Sequence, residues 1–326
     1  MTWSVIAALG CAITVFLNVL VPVLAARSLW QRRRSVVWWR VVGMSLALSH
    51  VGISIGFHRY FSHRSFQTSA AGKWALATIG TLTMQGSPLY WAAQHRLHHE
   101  HCEDPADPHS PTHGFLHAHG GFLTGLTGPT IDSHKEWSMR VVGDLAQDPD
   151  LAGLVRGPWA VAHPLGVMLG VPILSLAAFG GHATLWYLHV PQLLAWHATL
   201  SVNSATHTFG YPRGQADLRL PTPCRARNVP WLFGVLLGEA WHANHHASPH
   251  LTSMEGDWWE LDPQFRLLQL AEVAGIVWGV RSDSVPHGYP ACVPLQLLQM
   301  ALFPLLTFPT FWWYASRSRR QPLKEA

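Results

Sequence analysis

Three histidine clusters carry the chemistry open to this chain: His58 with His63 in GFHRYFSH, His95 with His98 and His99 in QHRLHH, and His242 with His245 and His246 in WHANHH. In each HxxHH the first and third histidines are one helical turn apart and the second lies beside them, so all three project from one helix face. One face can then grip a metal ion. His58 and His63 are five apart, which on a straight α-helix rotates them away from each other, so the helix is expected to end or bend near Tyr60 to Ser62. A ninth candidate comes from NSATH, which sets Asn203 and His207 at i and i+4. Neutral imidazole suits iron, zinc, copper and nickel, and nine imidazoles exceed what one ion holds. Two metals are implied.

At this histidine frequency one HxxHH arises by chance in roughly a tenth of chains this long, but two of them behind an HxxxxH do not. For the remaining histidines a bland reading is favoured. His50, His163, His182, His189 and His197 lie in or near apolar segments and read as packing or hydrogen-bonding residues, and His113, His117, His119, His134 and His250 as loop residues. His101 follows the second cluster closely. HExxH is absent, and so is the pair of Glu-x-x-His motifs that soluble di-iron bundles project inward. An all-imidazole site leaves the metals cationic and, if they are iron, able to bind and reduce O2, the chemistry needed to break an unactivated C–H bond. Two rivals stand beside that reading. One is a hydroxylase or ketolase of the same metal class acting on a lipid; the other is a zinc-dependent membrane hydrolase or a non-catalytic metal-binding membrane protein.

The elements that must position these histidines follow from composition. Of 326 residues, 48% are hydrophobic and 12% charged, with 17 Trp, which is too little polar surface for a soluble protein of this size. The fold class is all-α and membrane-embedded. Residues 3–26, 38–57, 158–179 and 183–203 read as four transmembrane helices, since a bilayer core needs about 20 apolar residues. The last two form a hairpin around Gly180-Gly181. Residues 68–90, broken by Gly72, Gly80, Gly86 and Pro88, read as a helix at the interface or buried against the spans. A short apolar helix is expected near 229–240 and an amphipathic one near 264–280. The His-rich blocks 58–157 and 207–290 flank the hairpin, so both share one side and build a cap. Residues 291–326 form an additional C-terminal apolar segment and basic tail, leaving 1–290 as the main domain. A net charge of +4 without a basic tract excludes a nucleic-acid partner. Cys11, Cys102, Cys224 and Cys292 form no CxxC pair, which argues against a disulfide framework and a Cys-based zinc site, and for a reducing compartment.

The ordered set HRYFSH, HRLHH, NSATH and HANHH resembles the membrane acyl desaturases, in particular the delta-9 branch that includes the stearoyl-CoA desaturases and their bacterial relatives. QGSPLYWAAQHRLHH, Asp107 to His109, ARNVPWL at 226–232, GEAWHANHH and DWWELD also resemble family blocks, from about residue 50 to 280. The resemblance implies a cytosolic cap holding two iron ions, and a narrow tunnel that kinks the acyl chain under them. It implies that His58, His63, His95, His98, His99, His207, His242, His245 and His246 are iron ligands and that Asn203 reaches an iron through water. It places Trp91, Trp258 and Trp259 at aromatic positions, and Arg227 and Asn228 near the headgroup of the acyl carrier. Asp107 and Glu239 are candidates to accept the far N–H of ligating imidazoles. ASPHLTSMEG, after the third cluster, is not the family's usual continuation.

The implied reaction puts a cis double bond into a saturated acyl chain carried as acyl-CoA, acyl-carrier protein or lipid. It consumes O2 and takes electrons from a separate ferredoxin or cytochrome b5 type donor. The basic loop with Arg27, Arg32, Arg33, Arg34 and Arg40 would sit in the cytoplasm by the positive-inside tendency. Electron supply from the cytosol places the active site there instead, and that loop outside.

Overall fold

The computed structural model describes residues 3–31, 35–107, 109–124, 127, 139–155, 158–212, 224–257 and 259–282. Arg32 to Arg34, Trp258 and the C-terminal segment 291–326 fall outside the described residues.

Helix α1 (Ala8–Trp30) has no charged residue before Arg27 and is long and apolar enough to cross a membrane, as is α2 (Trp38–Ser62). Both run past their expected ends at 26 and 57. Two shorter helices follow, α3 (Ala70–Leu82) and α4 (Pro88–His101). Each starts on a serine cap: the Ser69 hydroxyl accepts from the Gly72 amide and the Ser87 hydroxyl from the Tyr90 amide, with Pro88 at the first turn of α4. Small residues let α3 lie flat on α2. A Cβ on Gly80 would collide with the Phe57 ring, and one on Gly52 would press on the Ile79 backbone. The segment 68–90 thus holds a helix packed on α2, a turn and the first turn of α4.

The third long apolar run, α5 (Trp159–Ser204), is interrupted at Gly180, whose φ of 76° and ψ of 170° break the helix. Ser175 Oγ and Thr184 Oγ1 are 3.0 Å apart, although nine residues along a straight helix would separate them by roughly 13 Å. The chain doubles back at the Gly180-Gly181 pair. Bare apolar side chains such as Val15, Val19, Ile173, Leu174 and Phe179 cover the outer faces of α1 and α5, the surface a lipid environment accepts.

Beyond α5 come the apolar helical run Pro230–Ala240, α6 (His242–Ala247) and α7 (Pro263–Val273), the last capped by Asp262. The amphipathic helix expected to 280 stops at Val273, because residues 277–278 form a strand. That strand, β2 (Val277–Trp278), pairs antiparallel with β1 (Gln67–Thr68), Gln67 opposite Trp278 and Thr68 opposite Val277. This short ladder ties the segment leaving α2 to the end of α7. Beneath it a core of Phe57, Tyr60, Phe61, Phe66, Leu145 and Leu268 fixes the end of α2.

Candidate metal centre

His58 and His63 sit at the end of α2, where Ala47–Ser62 winds as a π-helix. The His63 amide donates to the His58 carbonyl at 3.2 Å, an i→i+5 bond. The wider turn brings residues five apart onto one side, so the two rings meet edge to face with centroids 5.0 Å apart. The helix does end at Ser62, as expected, but π winding and not a bend aligns the pair.

α4 carries His95, His98 and His99, α6 carries His242, His245 and His246, and His207 follows the end of α5. All nine histidines converge. Ligating atoms of His58, His63, His95, His99 and His245 lie within 4.8 Å of one another, and those of His98, His207, His242 and His246 form a second such group. His98 and His99, neighbours in sequence, point into different groups, as do His245 and His246. Each HxxHH therefore serves both.

The approach of the ring nitrogens shows what the groups fit. His58 Nδ1 is 3.0 Å from Glu239 Oε2, His98 Nδ1 is 3.0 Å from Asp107 Oδ2, and His207 Nδ1 is 3.1 Å from Glu103 Oε1. With Nδ1–H donating to a carboxylate, each Nε2 is a bare lone pair. Those Nε2 atoms nevertheless lie 3.0 to 3.3 Å from Nε2 of His245, His246 and His242. A cation between such converging nitrogens would be held by their lone pairs, so the donor set fits a metal ion. Burial, reinforced by neighbouring imidazoles, holds His63, His95, His98, His99, His242, His245 and His246 well below the ordinary histidine pKa, so they stay in the neutral, ligating form. Burial alone would raise the Glu239 carboxyl. His58 and Arg59 overcome it and hold the group at about 2.

Glu239 and Asp107, anticipated as acceptors from imidazoles of the clusters, lie against Nδ1 of His58 and His98. Four features were missed. Glu103 takes His207. Arg59, 1% exposed, joins Glu239 at 2.6 Å to Asp262 at 2.7 Å. Asn244, on α6 itself, donates to Glu260 Oε2 at 2.7 Å and so anchors the helix. Cys102 and Cys224 form a disulfide across 122 residues, with Cys224 Sγ 3.2 Å from His246 Nδ1. That last finding corrects the reading against a disulfide, which rested on sequence spacing alone, and removes the support that reading lent to a reducing compartment. Carboxylates in EDPADPH after the second cluster were the one available signal for Glu103.

Asn228, expected near a headgroup, is fully buried. Its Nδ2 donates to Asn244 Oδ1 and Glu260 Oε1, and its Oδ1 accepts from the Ala243 and Asn244 amides, so the side chain positions α6. The Arg227 amide donates to the Thr206 carbonyl. Trp259 packs edge-on against Trp241. His101 pairs with Asp104 and His50 with Gln264; neither joins a metal group.

Trp91 stacks on His95 at 5.0 Å and donates to Gln85 Oε1, whose amide in turn donates to Thr199. These residues border two cavities. One of about 40 Å³ lies against His58, His98, Glu239 and His242; the other, about 310 Å³, runs between α4, α1 and α5 past Ile13, Met84, Leu165, Met168 and Trp196. Trp91, His95, Thr199 and Asn203 line both, so the apolar cavity leads to the metal groups.

The profile of the fatty acid desaturase family matches residues 36–279. The chain is 33% identical over 247 residues to the sn-1 stearoyl-lipid 9-desaturase of Anabaena variabilis, covering 74% of this chain and 85% of that protein. It is 34% identical over 261 residues to the sn-2 palmitoyl-lipid 9-desaturase of Nostoc sp. (strain 36), covering 77% and 84%. It is also 30% identical over 283 residues to the hex-5-enoyl-[acyl-carrier protein] acetylenase of Moorena producens (strain JHB), covering 76% and 80%.

Proposed function

Because the chain belongs to the fatty acid desaturase family and is an acyl desaturase among the oxidoreductases, we propose that it introduces a cis double bond at the delta-9 position of a saturated, lipid-linked acyl chain. The observation that carries this reading is the apolar cavity of about 310 Å³ that ends on His95 and Asn203, against the metal groups. An alkyl chain is what such a cavity admits. Two relatives are named as stearoyl-lipid and palmitoyl-lipid 9-desaturases, which supports both the carrier and the position.

Two iron ions are the proposed occupants, held by His58, His63, His95, His99 and His245 on one side and by His98, His207, His242 and His246 on the other, with Asn203 reaching one through water. Bound iron would bind and activate O2, which is the oxidant. The chain's residues do the rest. Glu239, Asp107 and Glu103 hold the Nδ1 protons of His58, His98 and His207 and so aim each Nε2 inward. Trp91, fixed by Gln85, closes the wall between the two cavities and sets how far the acyl chain advances. Position matters because a shift of about an ångström redirects attack to another carbon. The overall balance is one CH2–CH2 unit plus O2, two electrons and two protons, giving one CH=CH unit and two waters. The electrons come from a ferredoxin or cytochrome b5 type donor.

In the membrane, α1, α2 and the two halves of α5 about Gly180 make four crossings, with the cap and its metal groups in the cytoplasm. Expression in a host lacking its own desaturase, with double-bond localisation in the extracted lipids, tests the activity. A delta-9 cis-monoene is expected; a hydroxylated chain would replace this reading with the hydroxylase.

A further inference from the structure

A buried amide on the wall of the apolar cavity has nothing to bind among the described residues. Gln94, on α4 immediately before His95, is 7% exposed and lines the cavity, yet neither its Nε2 nor its Oε1 has a hydrogen-bond partner among the described residues. Other polar side chains of the same wall are engaged: Gln85 with Thr199 and Trp91, Ser87 with the Tyr90 amide, Trp196 with the Thr83 carbonyl. His109 Nδ1 is likewise buried in the lining without a hydrogen bond, its nearest carboxylate oxygen on Asp107 being 3.6 Å away.

A buried amide left unpaired is costly, and a saturated alkyl chain satisfies neither half of it. A carbonyl would take the N–H and leave the oxygen bare. Only a group that both donates and accepts answers both atoms, and the smallest is an O–H. We infer that Gln94 is a specificity-determining residue of the acyl cavity, receiving one O–H group supplied either by bound water or by a hydroxyl on the substrate lipid. This rests on the desaturase reading. Held next to His95, that O–H fixes the register of the acyl chain along the wall that leads to the metal groups.

The test compares purified holoenzyme, Gln94→Met and Gln94→Asn on stearoylglycerol, which has free hydroxyls, and methyl stearate, which has none. If the lipid supplies the O–H, the native protein shows a KM about tenfold lower for stearoylglycerol, about 1.4 kcal/mol, and Gln94→Met erases the difference while kcat holds. If water supplies it, the native protein treats both esters alike and Gln94→Met lowers KM for both, because a methyl group displaces the water. Either result supports an O–H group held by Gln94; the first assigns it to the substrate lipid and makes Gln94 a determinant of specificity, the second assigns it to water. The assignment is overturned if Gln94→Met leaves both KM values unchanged, or if kcat and iron content fall while the KM ratio stays. Should Gln94→Met not fold, Gln94→Asn, whose shorter amide withdraws from the O–H, is held to the same comparison. A native protein that desaturates neither ester refutes the desaturase reading instead.

Discussion

The His63 amide bonds the His58 carbonyl at 3.2 Å, and through that single i→i+5 contact one helix end presents two imidazoles to the same group. Inserting an alanine between Phe61 and Ser62 would move His63 out of register. We expect the inserted variant to reach the membrane and to lose iron from the five-histidine group, read as a lower iron-to-protein ratio; full iron content would show that the π winding is dispensable.

His95→Ala, His99→Ala and His246→Ala should abolish product while the protein still inserts, because ligation and span hydrophobicity are separate properties. His189→Ala is the contrast. Its ring bonds Gln192 inside α5 and belongs to neither histidine group, and iron content should stay near the native value. A fully active His99→Ala protein would contradict the ligand set.

Glu239→Gln removes the anion that orients His58. Loss of such a partner typically weakens metal binding about 10- to 100-fold. Iron retention against a chelator series measures it, and unchanged retention would remove Glu239 from its assigned role. Arg59→Met should unfold more easily, by about 3–5 kcal/mol, since it leaves Asp262 and Glu239 buried without their cation.

The fold was legible where a single property decides it. Apolar runs gave α1, α2 and the reversal at Gly180, and the HxxHH spacing gave the faces of α4 and α6. What escaped depends on pairs far apart in sequence. Glu103 meets His207 across 104 residues, Arg59 meets Asp262 across 203, and Cys102 meets Cys224 across 122; no local periodicity reports such encounters. The π winding escaped for a different reason, since the rule that residues five apart diverge assumes the α-helical turn.

Acid should destabilise the metal-free protein. Burial lowers the folded pKa of seven clustered histidines below the unfolded value near 6.5, so below that pH the unfolded chain binds more protons. Stability is full above about pH 6.5 and is lost as pH falls from there toward the lowered folded values. Denaturant titrations of the metal-free protein on either side of this value should show a lower midpoint on the acid side; equal midpoints would mean that the cluster titrates normally.

Sidedness is tested by single cysteines at Ser35, in the loop between α1 and α2, and at Arg140, exposed on the cap, with Cys11, Cys102, Cys224 and Cys292 replaced. A membrane-impermeant thiol reagent on intact cells should label the first and spare the second. The reverse pattern would put the metal groups outside and remove the cytosolic electron donor.

The central claim is that nine converging histidines hold two irons. Metal analysis of the purified, active protein tests it most directly. Two irons per chain are predicted; a single zinc per chain, with no iron, would contradict the account and return the zinc hydrolase to first place.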